Sequence, residues 1–383
     1  MELTREEEAA LKGEKGETLE LALRILVATG EAIDADRLVP TKWAHLSGVN
    51  YNTIGDAGEE FLSKLSQDAK VVTRTTLNPM GFDIDKVSNY NLNENFIEKQ
   101  QSIRDSYEKM GVTPSFSCIP YEIFDLPEKG TQVSFAESNA AIYVNSIGHL
   151  KTNKESAFSA LASALTGKTP NSESRKDNSP NITIRMKIDD PNEMTFGMLG
   201  FFAGKIADSS VSLSDVKTLD KRSCKSLCAG MGTSGTCSKF ILGEEENSEK
   251  IDFDEKELQK IHDELNTSDR GDLITLGSPQ LGLGEISDLV TMLKNKSFKK
   301  RCMVFCPRAV QQQARKLGYA NELERAGCEI LSDCCTCLSP LIDKKDVDSV
   351  TTNSIKGAYY LKNSNGVDVN LKPLSKIIQD ETK

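Results

Sequence analysis

The sequence predicts an α/β protein of two or three domains, with parallel βαβ units and a site at the carboxyl ends of its strands. Three observations carry this reading. Short apolar runs alternate with amphipathic segments of helical period, the pattern of strands buried on both faces and joined by crossover helices. At 383 residues the chain exceeds what one ordinary core accommodates. Polar or cysteine-bearing turns follow the apolar runs, at the place where open parallel sheets bind ligands.

The alternation is plainest in the C-terminal half. DLITL (Asp272–Leu276) reads as a buried strand, GSPQLGLG as a loop and EISDLVTMLKN as a helix. CMVFC (Cys302–Cys306) is a second strand, with Pro307 opening the helix AVQQQARKLGY. CEIL (Cys328–Leu331) is a third, running into a cysteine-rich loop. Ser349–Thr351 begins a fourth, and Asn353–Ser354 cap the helix IKGAYYLK.

The N-terminal half repeats the style. After two helices, Arg37–Val39 leads into PTKWAHLSGVNYNTIGD and the helix AGEEFLSKLSQ. VVTRT (Val71–Thr75) reads as a strand ending at Asn78-Pro79, and PSFSC (Pro114–Cys118) as another after the helix FIEKQQSIRDSYEKMG. Val133–Phe135 leads to AESNAAIYVNSIGHL, a helix with Ser138 near its start. The run Lys168–Asn181 has loop composition, and EEENSEKIDFDEKELQKIHDEL reads as a solvated acidic helix. Two regions are expected: 1–205, carrying TKWAHLSG, NPMGFD and SCIPY, and 206–383, carrying LGSPQ, DCCTC and TTNSIK.

Composition excludes several function classes. A net charge of −10 argues against nucleic-acid binding through a basic surface. No apolar run approaches the ~20 residues that cross a membrane. The start, MELTREEEAALKGEKGE, is acidic and helix-forming, the reverse of a secretory signal. A cytoplasmic protein is expected, and there clustered cysteines mean metal or catalysis more often than disulfides.

The ten cysteines are not spaced like a zinc ribbon, and most read as small core residues. ILSDCCTCLSP (Ile330–Pro340) is the exception, with Cys334, Cys335 and Cys337 in four positions. A disulfide, a metal site and a sulfur-rich strand end are the alternatives. Position places Ser47–Asn50, Asn78-Pro79, Cys118, Glu137-Ser138, Ser278, Cys334–Cys337 and Asn353–Lys356 beyond strand ends, so two cysteine sites share one expected face.

Other signals fail on context. GMGTSG (Gly230–Gly235) matches a dinucleotide fingerprint, but a helical stretch precedes it and a strand-like one follows, the reverse of the required order. It reads as a glycine-rich helix-to-strand turn. TGKTP lacks the first P-loop glycine, Ala162 standing in its place. Of His45, His149 and His262, the last lies on the charged helix and His149 closes a helix. His45, in an expected strand-end loop, is the acid/base candidate among them.

TKWAHLSGVNY (Thr41–Tyr51) resembles a segment of the aconitase X family, and similar elements follow in order: NPMGFD (Asn78–Asp83), YEKMGVTPSFSCIPY (Tyr107–Tyr121), FAESNAAIYVNSIGHLKTNKES, DCCTCLSP and TTNSIKGAYY. The resemblance implies an aconitase-like α/β fold and a hydro-lyase. One branch of that family is a fused single chain acting on cis-3-hydroxy-L-proline. The other is the large subunit of a two-chain phosphomevalonate dehydratase of the archaeal mevalonate pathway, which forms trans-anhydromevalonate 5-phosphate. This chain ends soon after the TTNSIK element, so it looks like the large subunit, with a separate small subunit as partner.

The family mechanism implies an iron–sulfur cluster, expected as [4Fe-4S], on three cysteines, with one open iron as Lewis acid on the departing hydroxyl. The resemblance places its ligands at Cys118, position 278 and Cys335. Here LGSPQ puts Ser278 where the family has cysteine and Gln280 where it has histidine. A serine oxygen is a poor ligand for such a cluster beside thiolate. Serine or water ligation, a substitute thiolate from Cys334, Cys337 or Cys306, and a cluster-free binding or scaffold subunit all stay open. For an anionic small-molecule substrate the resemblance indicates Gly48, Val49, Asn50, Asn78, Pro79, Glu137, Ser138 and Lys356, with His45, Ser138 and Lys356 as catalytic candidates. Backbone amides of SGVN and a helix start suit an anion, and Lys356 concentrates positive charge.

Overall fold

A computed structural model describes residues 1–176, 178–217 and 219–383. In chain order the first strands are β1 (Leu38–Pro40), β2 (Trp43–Leu46), β3 (Arg74–Leu77), β4 (Ser134–Phe135) and β5 (Lys168–Pro170). β2, β3 and β4 make a parallel sheet in the order β3-β2-β4, while β1 and β5 pair antiparallel beside it. Next come β6 (Ile182–Met186), β7 (Ser210–Ser214), β8 (Lys239–Leu242) and β9 (Glu249–Phe253), all parallel in the order β8-β7-β6-β9. Last are β10 (Leu273–Leu276), β11 (Cys302–Phe305), β12 (Cys328–Leu331), β13 (Ser349–Thr352) and β14 (Asp368–Leu371), parallel in the order β12-β11-β10-β13-β14.

The strands that read most clearly in the sequence, β10, β11 and β13, are buried along their whole length, and so is β2, where the sequence predicts a loop. Helices cover both faces of a parallel sheet, so such strands need no polar alternation. One face of the β10–β14 sheet packs Met303, Phe305, Leu331 and Val350 into a core shared with Phe201, Phe240 and Phe253. Its other face holds Ile274, Leu276, Cys302, Val304 and Cys328. The N-terminal sheet has its own core around Leu26, Leu46, Leu77 and Ile103. A fourth, small cluster joins Trp43, Phe135, Cys118 and Cys335.

Several expectations shift. The strand expected at Val71–Thr75 begins three residues later, at Arg74, because the chain enters the sheet only after Val72, which is 66% exposed. Pro114–Cys118 is not a strand: Pro114 has no N–H to donate, Phe116 takes φ 41°, and only an isolated bridge joins Thr113 to Thr76. The acidic segment divides into the edge strand β9 and the helix Glu255–Leu265. Ile251 and Phe253 alternate on that strand, a period-two signal hidden by the surrounding charge. Lys168–Pro170 of the polar run is strand β5, and Asp177 within that run lies outside the described residues. His149 stands beyond the helix Ser138–Ser146, at φ 53°, and does not close it.

GMGTSG is not a turn. It forms the last part of the helix Lys221–Ser234, whose glycines lie against the helix Glu193–Ile206. A Cβ on Gly230 would stand 2.0 Å from the Gly197 carbonyl oxygen. A division at 205/206 would fall between β6 and β7, which are paired neighbours in one sheet. Among the described residues no helix is long and apolar enough to cross a membrane.

Candidate active site

The carboxyl ends of the N-terminal and C-terminal sheets meet, and the turns following their strands build one cavity. β2 delivers Gly48, Val49 and Asn50; β3 delivers Asn78 and Pro79; β4 delivers Glu137 and Ser138. From the other side, β12 delivers Cys335 and Cys337, and β13 delivers Lys356 one turn into the helix Ile355–Tyr360. Cys118 completes the wall. The cavity measures about 420 Å³, within the ordinary range for small-molecule sites.

The two halves are fastened at this seam. Met80 N donates to the Asp333 carbonyl at 2.7 Å, Lys86 Nζ to the Ile330 carbonyl at 2.7 Å, and Ser332 N to Asp83 Oδ2 at 2.8 Å. Arg308, at the start of the helix after β11, forks onto Asp333 and Asp83 and also pairs with Asp85. Asp333 sits at φ 62°, so the cysteine loop leaves β12 by a left-handed step that this guanidinium holds.

Cys118, Ser278 and Cys335 come together. Cys335 Sγ donates to Ser278 Oγ at 3.9 Å, and Cys118 packs with Cys335 in the same small buried cluster. Cys337 joins them, with its Sγ 3.0 Å from Ser278 Oγ. The bonds from Cys118 and Cys337, with the Lys356 charge nearby, hold the Cys335 thiol well below the ordinary range against its burial. Burial drives Cys118 and Cys337 the other way.

Ser278 itself lies outside the main cavity, against a small void behind it. Gly277 before it takes φ 105°, and a Cβ there would meet the Phe305 carbonyl at 2.3 Å, so only glycine lets β10 release Ser278 in this direction. Ser354 Oγ donates to the Ser278 carbonyl and fixes the turn against the β13 helix.

Lys356 is almost fully buried. Its ammonium contacts Glu137 Oε1 at 2.5 Å and Asn139 Oδ1 at 2.8 Å. Burial opposes its charge, but the Glu137 carboxylate outweighs it and holds the ammonium well above the usual lysine range. Asn78 Nδ2 donates to the other Glu137 oxygen at 2.6 Å. Glu137 makes no side-chain cap, so the first amides of the helix Ser138–Ser146 have no capping acceptor from it. Asn50 Oδ1 caps Asn52 N at 2.9 Å, and its amide fixes the Leu338 carbonyl at 3.1 Å.

His45 does not line the cavity. It is a fully buried residue of β2 and not part of a loop, because its Nδ1 meets Thr76 Oγ1 at 2.8 Å and that hydroxyl also accepts from Trp43. Burial lowers its pKa to about 4, so the ring is neutral at physiological pH. It stands behind Asn78, a neighbour that works to raise that pKa.

Sequence reasoning passed over three residues. Gln280, noticed only as a departure from the family pattern, ties the thiol segments together: its N donates to Cys118 Sγ at 3.2 Å, its Oε1 accepts from Cys118 N at 3.2 Å, and its Nε2 donates to the carbonyls of Phe116 and Cys334. Asn139 joins Lys356 to the Cys118 carbonyl. Arg308 carried no signal, because its partners lie up to 225 residues away.

Fold and site define a parallel α/β protein with a small-molecule cavity that presents a buried cation, a helix start and a group of thiols on one wall. Family models for the first, second and third domains of aconitase X match residues 1–174, 180–263 and 271–383. The chain belongs to the aconitase X family. It is 35% identical to the phosphomevalonate dehydratase large subunit of Methanocaldococcus jannaschii, over 94% of this chain and 95% of that one. Identity to the subunit of the same name from Thermococcus kodakarensis is 34%, over 99% and 100%. A cis-3-hydroxy-L-proline dehydratase of Pseudomonas aeruginosa is 26% identical, but this chain spans only 65% of it. The crystal structure of Thermococcus kodakaraensis aconitase X in its holo form superposes with a TM-score of 0.91 at 32% identity, covering all of both chains.

Proposed function

We propose that the chain is the large subunit of a two-chain hydro-lyase that dehydrates (R)-5-phosphomevalonate to trans-anhydromevalonate 5-phosphate. The observation that carries this reading is the single cavity on which the buried Lys356–Glu137–Asn78 network and the thiols of Cys118 and Cys335 converge. The relatives named phosphomevalonate dehydratase large subunit match almost end to end, which supports this substrate over hydroxyproline.

The donor set fits an iron–sulfur cluster, since soft thiolates are what such iron selects. Among the described residues no three His, Cys, Asp or Glu side chains would hold a single metal ion, whereas cluster ligands bind different irons and need no common point. Cys118 and Cys335 would hold it, with a further donor at position 278 or beside it. When bound, it supplies a Lewis acid for the departing hydroxyl.

The chain's own residues do the rest. The amides opening the helix Ser138–Ser146, the SGVN turn and the Lys356 ammonium bind the anionic groups of the substrate. Glu137 and Asn139 hold that ammonium in place and charged. The Ser138 hydroxyl stands at the cavity wall, where it can carry a proton. His45, neutral and buried, is bonded to Thr76 within the sheet and takes no part in the proton transfer. The small subunit closes the open side and excludes water. We place this activity in the cytoplasm, where all ten cysteines, free in this fold, stay reduced.

Ser278 favours a second reading, a cluster-free subunit that binds but does not turn over substrate. The test is anaerobic co-purification with the small subunit, followed by turnover of phosphomevalonate and of cis-3-hydroxy-L-proline. The expected result is selective loss of phosphomevalonate. Activity on hydroxyproline alone, or none from an iron-replete complex, overturns the proposal.

A further inference from the structure

The family pattern supplies thiolates from three separate segments, and this chain has serine on one of them. The structure shows what stands in that place. Cys337 Sγ lies 3.0 Å from Ser278 Oγ, and Ser278 Oγ lies 3.9 Å from Cys335 Sγ. Cys337 lines the same cavity as Cys118 and Cys335, and it is the one cysteine of the ten that is not buried. We propose that Cys337 provides the third thiolate for the cluster, beside Cys118 and Cys335, and that Ser278 is not a ligand but a hydrogen-bond donor to the Cys337 sulfur. This inference rests on the reading that the chain binds a cluster at all.

The other spare thiols are pointed elsewhere. Cys334 is fully buried and packs into the core with Phe305 and Leu331. Cys306 is buried on the far face of the sheet, among Val304 and Val310. Cys224 and Cys228 lie within the helix core beneath β6–β9. None of these lines the cavity. Cys337 reaches it because the loop is held on both sides of the cysteines. Arg308 fixes Asp333 before them. After them, Leu338 turns at φ 61° and its carbonyl accepts from Asn50 Nδ2 at 3.1 Å and Asn52 Nδ2 at 3.3 Å. The position of Cys337 is therefore built by two clamps, one from each half of the protein.

The chemistry agrees with the geometry. Thiolate is the softer donor for iron in a cluster, and hydroxyl groups near ligand sulfurs act on such centres by hydrogen bonding. On ligation the Cys337 S–H bond breaks, its proton leaves to solvent and an Fe–S bond forms. Ser278 keeps its proton and donates it to the sulfur 3.0 Å away.

The full chain, co-expressed with its small subunit and loaded anaerobically with iron and sulfide, tests this. The readouts are iron and acid-labile sulfide per chain, the visible absorption of the cluster, and alkylation of each cysteine by iodoacetamide followed by mass spectrometry. In Cys337→Ala, iron and sulfide fall by roughly tenfold or more, since losing even an outer-shell partner of a metal site costs about 10- to 100-fold in affinity. Cys334→Ala keeps its iron, and Ser278→Ala loses less of it than Cys337→Ala, as an outer-shell donor should. The double variant Ser278→Cys/Cys337→Ala regains it. In the wild-type chain Cys337 is protected from alkylation when loaded and reactive after the cluster is stripped. Should Cys337→Ala fail to fold, that protection decides alone. Full iron in a folded Cys337→Ala, or equal alkylation of Cys337 with and without the cluster, overturns the inference while leaving cluster binding standing. A wild-type complex that takes up no iron overturns both.

Discussion

The ammonium of Lys356 lies 2.5 Å from the carboxylate of Glu137, and each side chain is only 8% exposed. The pair joins the turn after β13 to the turn after β4, so one interaction closes the seam between two sheets and charges the cavity. Removing one partner strands the other as a buried charge, which costs about 3–5 kcal/mol. Lys356→Met is therefore expected to lower the urea midpoint strongly and to reduce kcat/KM by at least about 100-fold through lost anion binding. Lys356→Met/Glu137→Gln is expected to recover most of the stability and none of the activity. Recovery of both in the double variant would show that the ammonium serves the fold alone.

Arg308 has a comparable place at the cysteine loop. Its guanidinium is 28% exposed, but the carboxylates of Asp83 and Asp333 beneath it are 1% exposed each. Arg308→Ala leaves two buried acids without a counter-charge, and the loop without the contact that holds Asp333 at positive φ. A loss of about 2–3 kcal/mol is expected, below the full range for buried pairs because the arginine is partly solvated. Arg308→Lys should restore charge without the fork and recover part of the loss. The check is a urea titration together with the alkylation rate of Cys335, which rises if the loop loosens.

The elements legible in the sequence were those set by local pattern. β10 and β11 are largely apolar, β13 is β-branched and buried throughout, and the turn after each strand carries its polar residues in plain view. What escaped depends on pairings across the chain. Thr76 pulls His45 into the sheet from 31 residues away, and Arg308 meets Asp83 across 225. The direction of Cys337 follows from Asn50 and Asn52 holding Leu338, a contact of more than 280 residues' separation. β9 was hidden because charge surrounds its short alternation. GMGTSG misled for a different reason, since glycine marks turns locally but here permits two helices to touch.

That helix contact yields a sharp prediction. A Cβ on Gly200 would lie 2.0 Å from the Leu227 carbonyl oxygen, and one on Gly230 would lie 2.0 Å from the Gly197 carbonyl oxygen. Both obstacles are backbone, so neither can rotate aside. Alanine ordinarily favours a helix over glycine by about 1 kcal/mol, but here the clash wins. Gly230→Ala is expected to destabilise by about 3 kcal/mol or more, the upper end for overpacking. Gly284→Ala, in the helix Leu283–Met292 with nothing within 4 Å of its Cβ, is the control and should be neutral or stabilising. Chemical denaturation of the two variants separates packing from propensity.

Glu193 connects stability to pH behind the site. It borders the small void at Ser278 with Lys225 and Glu285. Burial, with the Glu285 charge adding to it, raises its pKa to about 7, and Lys225 and Arg222 only partly offset this. The folded state thus holds this proton more tightly than the unfolded chain, whose carboxyl titrates near 4.5. Its contribution is fully present below about pH 4.5, is lost as pH rises toward 7, and is absent above. A shift of that size corresponds to about 3 kcal/mol at most, and roughly half that once the solvent contact Glu193 retains is discounted. Glu193→Gln keeps the shape without the charge. Relative to wild type it should be near neutral at pH 4.5 and more stable by about 1–3 kcal/mol at pH 8. Taking the difference between the two proteins at each pH cancels the other titrating groups, so a flat difference across that range would place the Glu193 carboxyl in water instead of against the void.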